Sequence, residues 1–171
     1  AEEAGWVHLI AEADKDLQLQ LMLKDPAYGF SVLYKTFWYT SPMVLENYIG
    51  TFGWLETKLP LWTIISGYAL ILIMLISSTI QLSLAKRLLF FSAFLLMSCL
   101  VIISQHLNWD SVGSERVWTL QGRYFIPILP LFFMSISGNL LRIKLRSFVI
   151  ASLSMLLLSY TLFVLISRFY V

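Results

Sequence analysis

Apolar and polar positions alternate along this chain in blocks rather than in short periods. Four charge-free stretches, Leu59–Ala85, Leu88–Trp109, Tyr124–Leu141 and Ser147–Ser167, count 27, 22, 18 and 21 residues. A helix of about 20 apolar residues crosses the hydrocarbon of a bilayer. The pattern therefore predicts an all-α polytopic membrane protein with four transmembrane helices, at about 60–82, 88–107, 124–141 and 147–167. Residues 1–58 carry no run of that kind and form a separate, outward-facing segment of amphipathic interfacial helices, followed by the membrane region 59–171.

Within the first segment the helix signals are local. "KDPAYGF" offers Asp25 as an N-cap and Pro26 at the first helical position. "YTSPMVL" offers Ser41 and Pro42 for a second start. Between them stand Tyr28, Phe30, Tyr34, Phe37, Trp38 and Tyr39, a density of aromatics that suits short helices lying in the headgroup layer. Ala11–Leu23 reads as an earlier helix, although Leu17, Leu19, Leu21 and Leu23 alternate with Gln18 and Gln20 as a strand would. In "GTFGWLETKLPLW", Gly50 and Gly53 permit a tight reversal, Trp54 and Trp62 bracket the interface, and Pro60 suits the first turn of a span. Glu56 reads more readily as a solvated interface carboxylate than as a catalytic acid.

Composition strengthens the membrane reading. Hydrophobic residues make up 58% and charged residues 13% of the chain, where soluble domains carry roughly 25% charged residues. The basic residues are scattered and the net charge is only +2, so no nucleic-acid partner is expected. Cys99 is the single cysteine and lies mid-span, which excludes a disulfide and a thiolate ligand set within the chain. No metal-spacing motif appears, so no cofactor is identified and a divalent metal stays open. The start at Ala1, without a methionine or a signal-peptide pattern, leads us to expect a piece of a longer or processed protein.

Charge also sets an expected direction. Lys86 and Arg87 fall between the first two stretches, and Arg142, Lys144 and Arg146 between the last two. Short cytoplasmic loops gather Lys and Arg, so both should face the cytoplasm. The loop around Asn108–Arg123 and residues 1–58 then face outward, as do both ends of the chain. His106, near Trp109 and Asp110, reads as an interface histidine because no second histidine is near it.

The candidate site is "QGRYFIPILP", residues 121–130. A span starting at Tyr124 would have Pro127 as its fourth residue, where the missing N–H costs little. Pro130 would fall deeper, kink the helix and shape a groove on the same face. Unbonded amides at such a start favour an anion, and Arg123 adds a full charge there. A guanidinium binds phosphate bidentately, Gln121 can donate, and Gly122 lets backbone approach a ligand. Gln121, Gly122, Arg123 and Tyr124 are therefore candidates for holding a lipid phosphate. The competing reading is an arginine that merely snorkels to headgroups, beside an ordinary belt tyrosine.

"FGWLETKLP" at 52–60 and "QGRYFIPILPLFF" at 121–133, with a basic turn between two spans, resemble the bacterial membrane proteins grouped as domain of unknown function 2142. "QLQLMLKDPAYGFSVLYKT" at 18–36 is similar to that family's lead-in. The resemblance covers roughly residues 14–168 and the C-terminal half of a typical member, so the N-terminal half would be a partner. Gln121, Gly122, Arg123, Tyr124, Pro127 and Pro130 match the late motif. Phe52, Gly53, Trp54, Leu55 and Thr57 match the early one, with Glu56 where aspartate is commoner. Asp110 stands where an uncharged residue is expected. The resemblance implies a glycosyltransferase of the type C fold, taking sugars from polyprenyl phosphate at the outer face of the bacterial inner membrane. Its catalytic carboxylates would lie in an outer loop that precedes these residues, and a fragment without them would be inactive. A flippase or transporter of lipid-linked saccharides and a non-catalytic scaffold are the alternatives. Midplane charges would favour the transporter.

Overall fold

The computed structural model describes residues 13–52, 57–77, 82–137 and 147–170. Its elements run α1 (Lys15–Lys24), α2 (Pro26–Gly50), β1 (Thr51–Phe52), β2 (Thr57–Lys58), α3 (Leu61–Ser77), α4 (Leu84–Trp109), a 3-10 turn (Gly122–Phe125), α5 (Leu129–Ile136) and α6 (Ser147–Phe169). Among the described residues the fold is all-α apart from one short antiparallel pair, with Thr51 opposite Lys58 and Phe52 opposite Thr57.

Caps explain the first two helices. The Asp14 carboxylate accepts from the amides of Asp16 and Leu17, both at 3.0 Å, and opens α1. Asp25 ends it, because a residue before proline avoids helical dihedrals, and it stands at φ −126° and ψ 86°. The same Asp25 then caps α2 through Ala27 and Tyr28 at 3.1 and 3.2 Å, with Pro26 in the first turn as expected. The leucine alternation is helical after all, and the residue it buries is Gln18.

Ser41 and Pro42 do not start a helix. Pro42 lies inside α2, which runs 25 residues without a break, about 37 Å at 1.5 Å per residue. An interior proline deprives the carbonyl four residues back of its partner and costs roughly 3 kcal/mol. Trp38 and Pro42 are exposed, so that carbonyl can turn to solvent. The buried stripe Val32, Thr36, Thr40, Val44 and Asn47 passes beneath the proline uninterrupted, and its packing outweighs the cost.

Among the described residues, two helices are long and apolar enough to cross a membrane: Leu84–Trp109 and Phe148–Phe169, each of mean hydropathy 2.3. Only 6% of the first window and none of the second is buried within the chain. Apolar helices this bare are the reverse of a soluble core helix and match lipid as their solvent. The helix Leu61–Ser77 is apolar but has 17 residues, and positions 78–81 lie outside the described residues. Helix α4 starts four residues before the expected span, so Lys86 and Arg87 sit in its first turn rather than in a loop.

The expected third span is the largest departure. No continuous helix begins at Tyr124. The chain makes a 3-10 turn over Gly122–Phe125, then further turns, and starts α5 only at Leu129. Pro130 is thus in the first turn of α5, where the amide it lacks has no intrahelical acceptor, and it kinks nothing. Pro127 lies in the preceding turn, so the two prolines do not share a helical face. The physical reason is burial. Phe125, Ile128 and Leu129 all turn into the core, a spacing the tighter turn allows.

Helix α5 packs on α4, with Phe94 and Phe132 at 5.2 Å between ring centroids, and α6 packs on α3 through Trp62 and Tyr160 at 4.5 Å. Helix α2 joins the two pairs. Its N-terminal half meets α1, α4 and the segment after α4, and its C-terminal half meets the 3-10 turn and α3. The core lies under it, around Val32, Val44, Ile102, Val117, Leu120 and Phe125. At its far end a Cβ on Gly50 would fall 2.3 Å from Ile64 Cδ1, so glycine there serves close packing of α2 on α3.

Candidate functional site

The QGRYF segment approaches α2 backbone to backbone. Gln121 is extended, at φ −121° and ψ 143°, and Gly122 follows it into the turn. A Cβ on Gly122 would lie 2.4 Å from both Tyr48 N and Val44 O, so no side chain fits. The glycine serves contact with α2, where the sequence suggested contact with a ligand. Phe125 is buried, Tyr124 half-buried, and Arg123 projects to the exterior with its Cζ 5.8 Å from the Tyr124 ring centroid. Among the described residues, Gln121 Oε1 is buried without a hydrogen-bond partner.

The helix start expected beside Arg123 is absent. Tyr124 N donates to Gln121 O at 3.1 Å, Ile126 N to Arg123 O at 3.2 Å and Ile128 N to Phe125 O at 3.0 Å. Those amides are engaged, and the open helix terminus lies further on at Leu129. Gln121, Gly122, Arg123 and Tyr124 stand together by adjacency, with Pro127 two residues beyond the turn. Gly53, Trp54 and Glu56 lie outside the described residues, as do Arg142, Lys144 and Arg146.

A second constellation escapes the sequence. His106 and Gln18 are 0% exposed and Asp110 is 1% exposed. His106 Nδ1 lies 3.0 Å from Asp110 Oδ2, one helical turn on. A carboxylate only accepts, so Nδ1 carries the hydrogen and Nε2 is left as an acceptor. The Gln18 amide supplies it, donating to His106 Nε2 and, at 2.9 Å, to Tyr28 Oη. Tyr28 Oη, 3.0 Å from the same ring nitrogen, donates to Ser114 O at 2.8 Å. Gln18 Oε1 accepts from Gly113 N at 2.9 Å, and Asp110 Oδ1 from Trp118 N at 3.3 Å. Every donor has an acceptor when the imidazole is neutral. Burial, offset in part by the Gln18 hydrogen bond and reinforced by the Asp110 charge, raises the Tyr28 hydroxyl above its usual value.

This network links α1, α2, α4 and the segment after α4. Among the described residues Gln18, His106 and Asp110 are sealed from the exterior, so the network's chemistry is that of a clasp. His106 is buried, and Asp110 one turn on and Gln18 across the fold satisfy both ring nitrogens, partners that the sequence reading did not assign. Spacing of His and Asp by four on a helix end was the available signal. Nothing local pointed to Gln18, 88 residues away. Two further contacts supplement the clasp: Thr36 Oγ1 accepts from Val117 N at 3.0 Å, and Lys35 pairs with Glu115 at 2.8 Å. That hydrogen bond, with the Lys35 charge, lowers the Glu115 carboxyl below its ordinary value. Among the described residues no cluster of three or more His, Cys, Asp or Glu could hold a metal ion.

The architecture leaves apolar helices, a clasp that joins α1, α2, α4 and the segment after α4, and a glycine-docked QGRYF turn. A family model described as "Predicted membrane protein (DUF2142)" matches residues 3–132, more than half of the chain. The chain belongs to this family. The match takes in the clasp, the β pair and the QGRYF turn, and ends inside α5. No curated protein and no solved structure matches this DUF2142 chain.

Proposed function

We propose that this DUF2142 protein handles a polyprenyl-phosphate-linked sugar at the outer face of the bacterial inner membrane, as part of a glycosyltransferase-like enzyme. The observation that carries the reading is the QGRYF turn. It holds Arg123 at the exterior, on a backbone that Gly122 locks against α2. A backbone already fixed loses no freedom when the guanidinium it carries meets a phosphate, which favours binding.

The layout supports an interfacial α2. Tyr28, at its N-terminal end, meets the last turns of α4, and Gly50, at its C-terminal end, meets the first turn of α3. If α3 and α4 cross the membrane in succession, those two ends lie on one face. Helix α2 then runs along that face, and the basic residues Lys86 and Arg87 of the opposite end of α4 lie in the cytoplasm. Helix α6 supplies a further apolar helix of spanning length. A transporter is less well supported, since α4 between Leu88 and Trp109 and α6 before Arg168 carry no Lys, Arg, Asp or Glu at mid-depth.

Arg123→Lys and Arg123→Ala in the full-length protein test the proposal. Both should lose lipid-phosphate binding and sugar transfer, the alanine variant more, because lysine keeps the charge without the planar fork. Normal binding and transfer in both variants would remove Arg123 from the site.

A further inference from the structure

We infer that Arg116, stacked between Tyr39 and Trp118, holds the phosphate of an anionic membrane lipid at a site separate from the QGRYF turn. The Arg116 Cζ lies 3.7 Å from the Trp118 ring centroid and 5.3 Å from that of Tyr39. Stacking uses the faces of a guanidinium and leaves its N–H edges for a planar acceptor. Among the described residues no carboxylate stands in ion-pair contact with Arg116. The adjacent acid, Glu115, is already hydrogen-bonded to Lys35.

The backbone on both sides of the arginine is fixed. Ser114 Oγ donates to Arg116 O at 2.9 Å, and the Val117 amide is tied to Thr36. Side chain and loop are ordered before any ligand arrives, which removes the main entropic cost of using an arginine. The setting selects a lipid over a free anion. Trp118 and Tyr39 are exposed, and they continue the exposed aromatic face of α2, Phe37 and Trp38. Rings of this kind settle at headgroup depth, and the positive charge among them complements an anionic headgroup at the same depth.

The test uses full-length protein extracted in mild detergent, with retained lipid counted by native mass spectrometry after exposure to mixed phosphatidylglycerol and phosphatidylcholine. Wild type should retain phosphatidylglycerol preferentially. Arg116→Gln should lower that retention roughly fivefold, the scale of one basic residue at an anionic surface. Trp118→Ala, which keeps the charge and removes the platform, should lower it too. Arg168→Gln removes an equal charge at the end of α6 and should leave it unchanged. Unaltered retention in Arg116→Gln and Trp118→Ala overturns the inference, as does an equal loss in Arg168→Gln. Displacement of the lipid by inorganic phosphate alone would make the site one for free anions and overturn the lipid assignment.

Discussion

His106 shows how much one side chain can decide. Its ring accepts and donates within a closed set of partners, and truncation would take one hydrogen bond each from the buried Asp110 Oδ2 and the Gln18 amide nitrogen. His106→Ala should lower stability by about 3 kcal/mol, since each buried polar group left without its hydrogen-bond partner costs roughly 1–3 kcal/mol. Thermal unfolding in detergent reads this directly. Gly122→Ala forces a Cβ into the α2 backbone and should cost about 2 kcal/mol by overpacking. Pro130→Ala should change stability by less than about 1 kcal/mol, because the proline occupies a first-turn position. A kinked third helix would have predicted a larger effect. The residues of the QGRYF motif were legible as a unit in the sequence. The glycine's reason was not, because its contact lies some 75 residues earlier, at Val44 to Tyr48.

At the scale of elements, caps and apolar runs were readable and tertiary compensation was not. Asp25 and Pro26 start α2 as the sequence indicates, since both signals act within one turn. Ser41 and Pro42 carry the same local signal, yet packing along the buried stripe carries the helix through them. Pro42→Ala should therefore stabilise α2 by about 2 kcal/mol, the interior-proline cost less the entropy that proline removes from the unfolded chain. The Lys35–Glu115 pair ties α2 to the segment after α4 and has a definite pH signature. The Glu115 carboxyl titrates lower in the folded protein than unfolded, so its stabilisation is full above the unfolded value near the ordinary carboxylate range. It is lost as pH falls through the folded value. Wild type and Glu115→Gln should differ slightly in melting temperature at neutral pH and converge in acid. The effect is small because the pair is exposed.

At the scale of the whole molecule, the membrane class followed from composition, because long uncharged apolar runs have few other fates. The joining of the first segment to the loop after α4 did not, since it rests on contacts across 78 to 95 residues of sequence. The account stands on that junction lying at the outer face. Impermeant thiol labelling of intact cells tests it most directly, with Cys99, the sole cysteine, replaced by serine and single cysteines placed at exposed Leu23 and Val112. The account predicts that both label from outside and that a cysteine at Lys86 labels only after lysis. Labelling of Leu23→Cys and Val112→Cys from opposite sides, or of Lys86→Cys in intact cells, would contradict it.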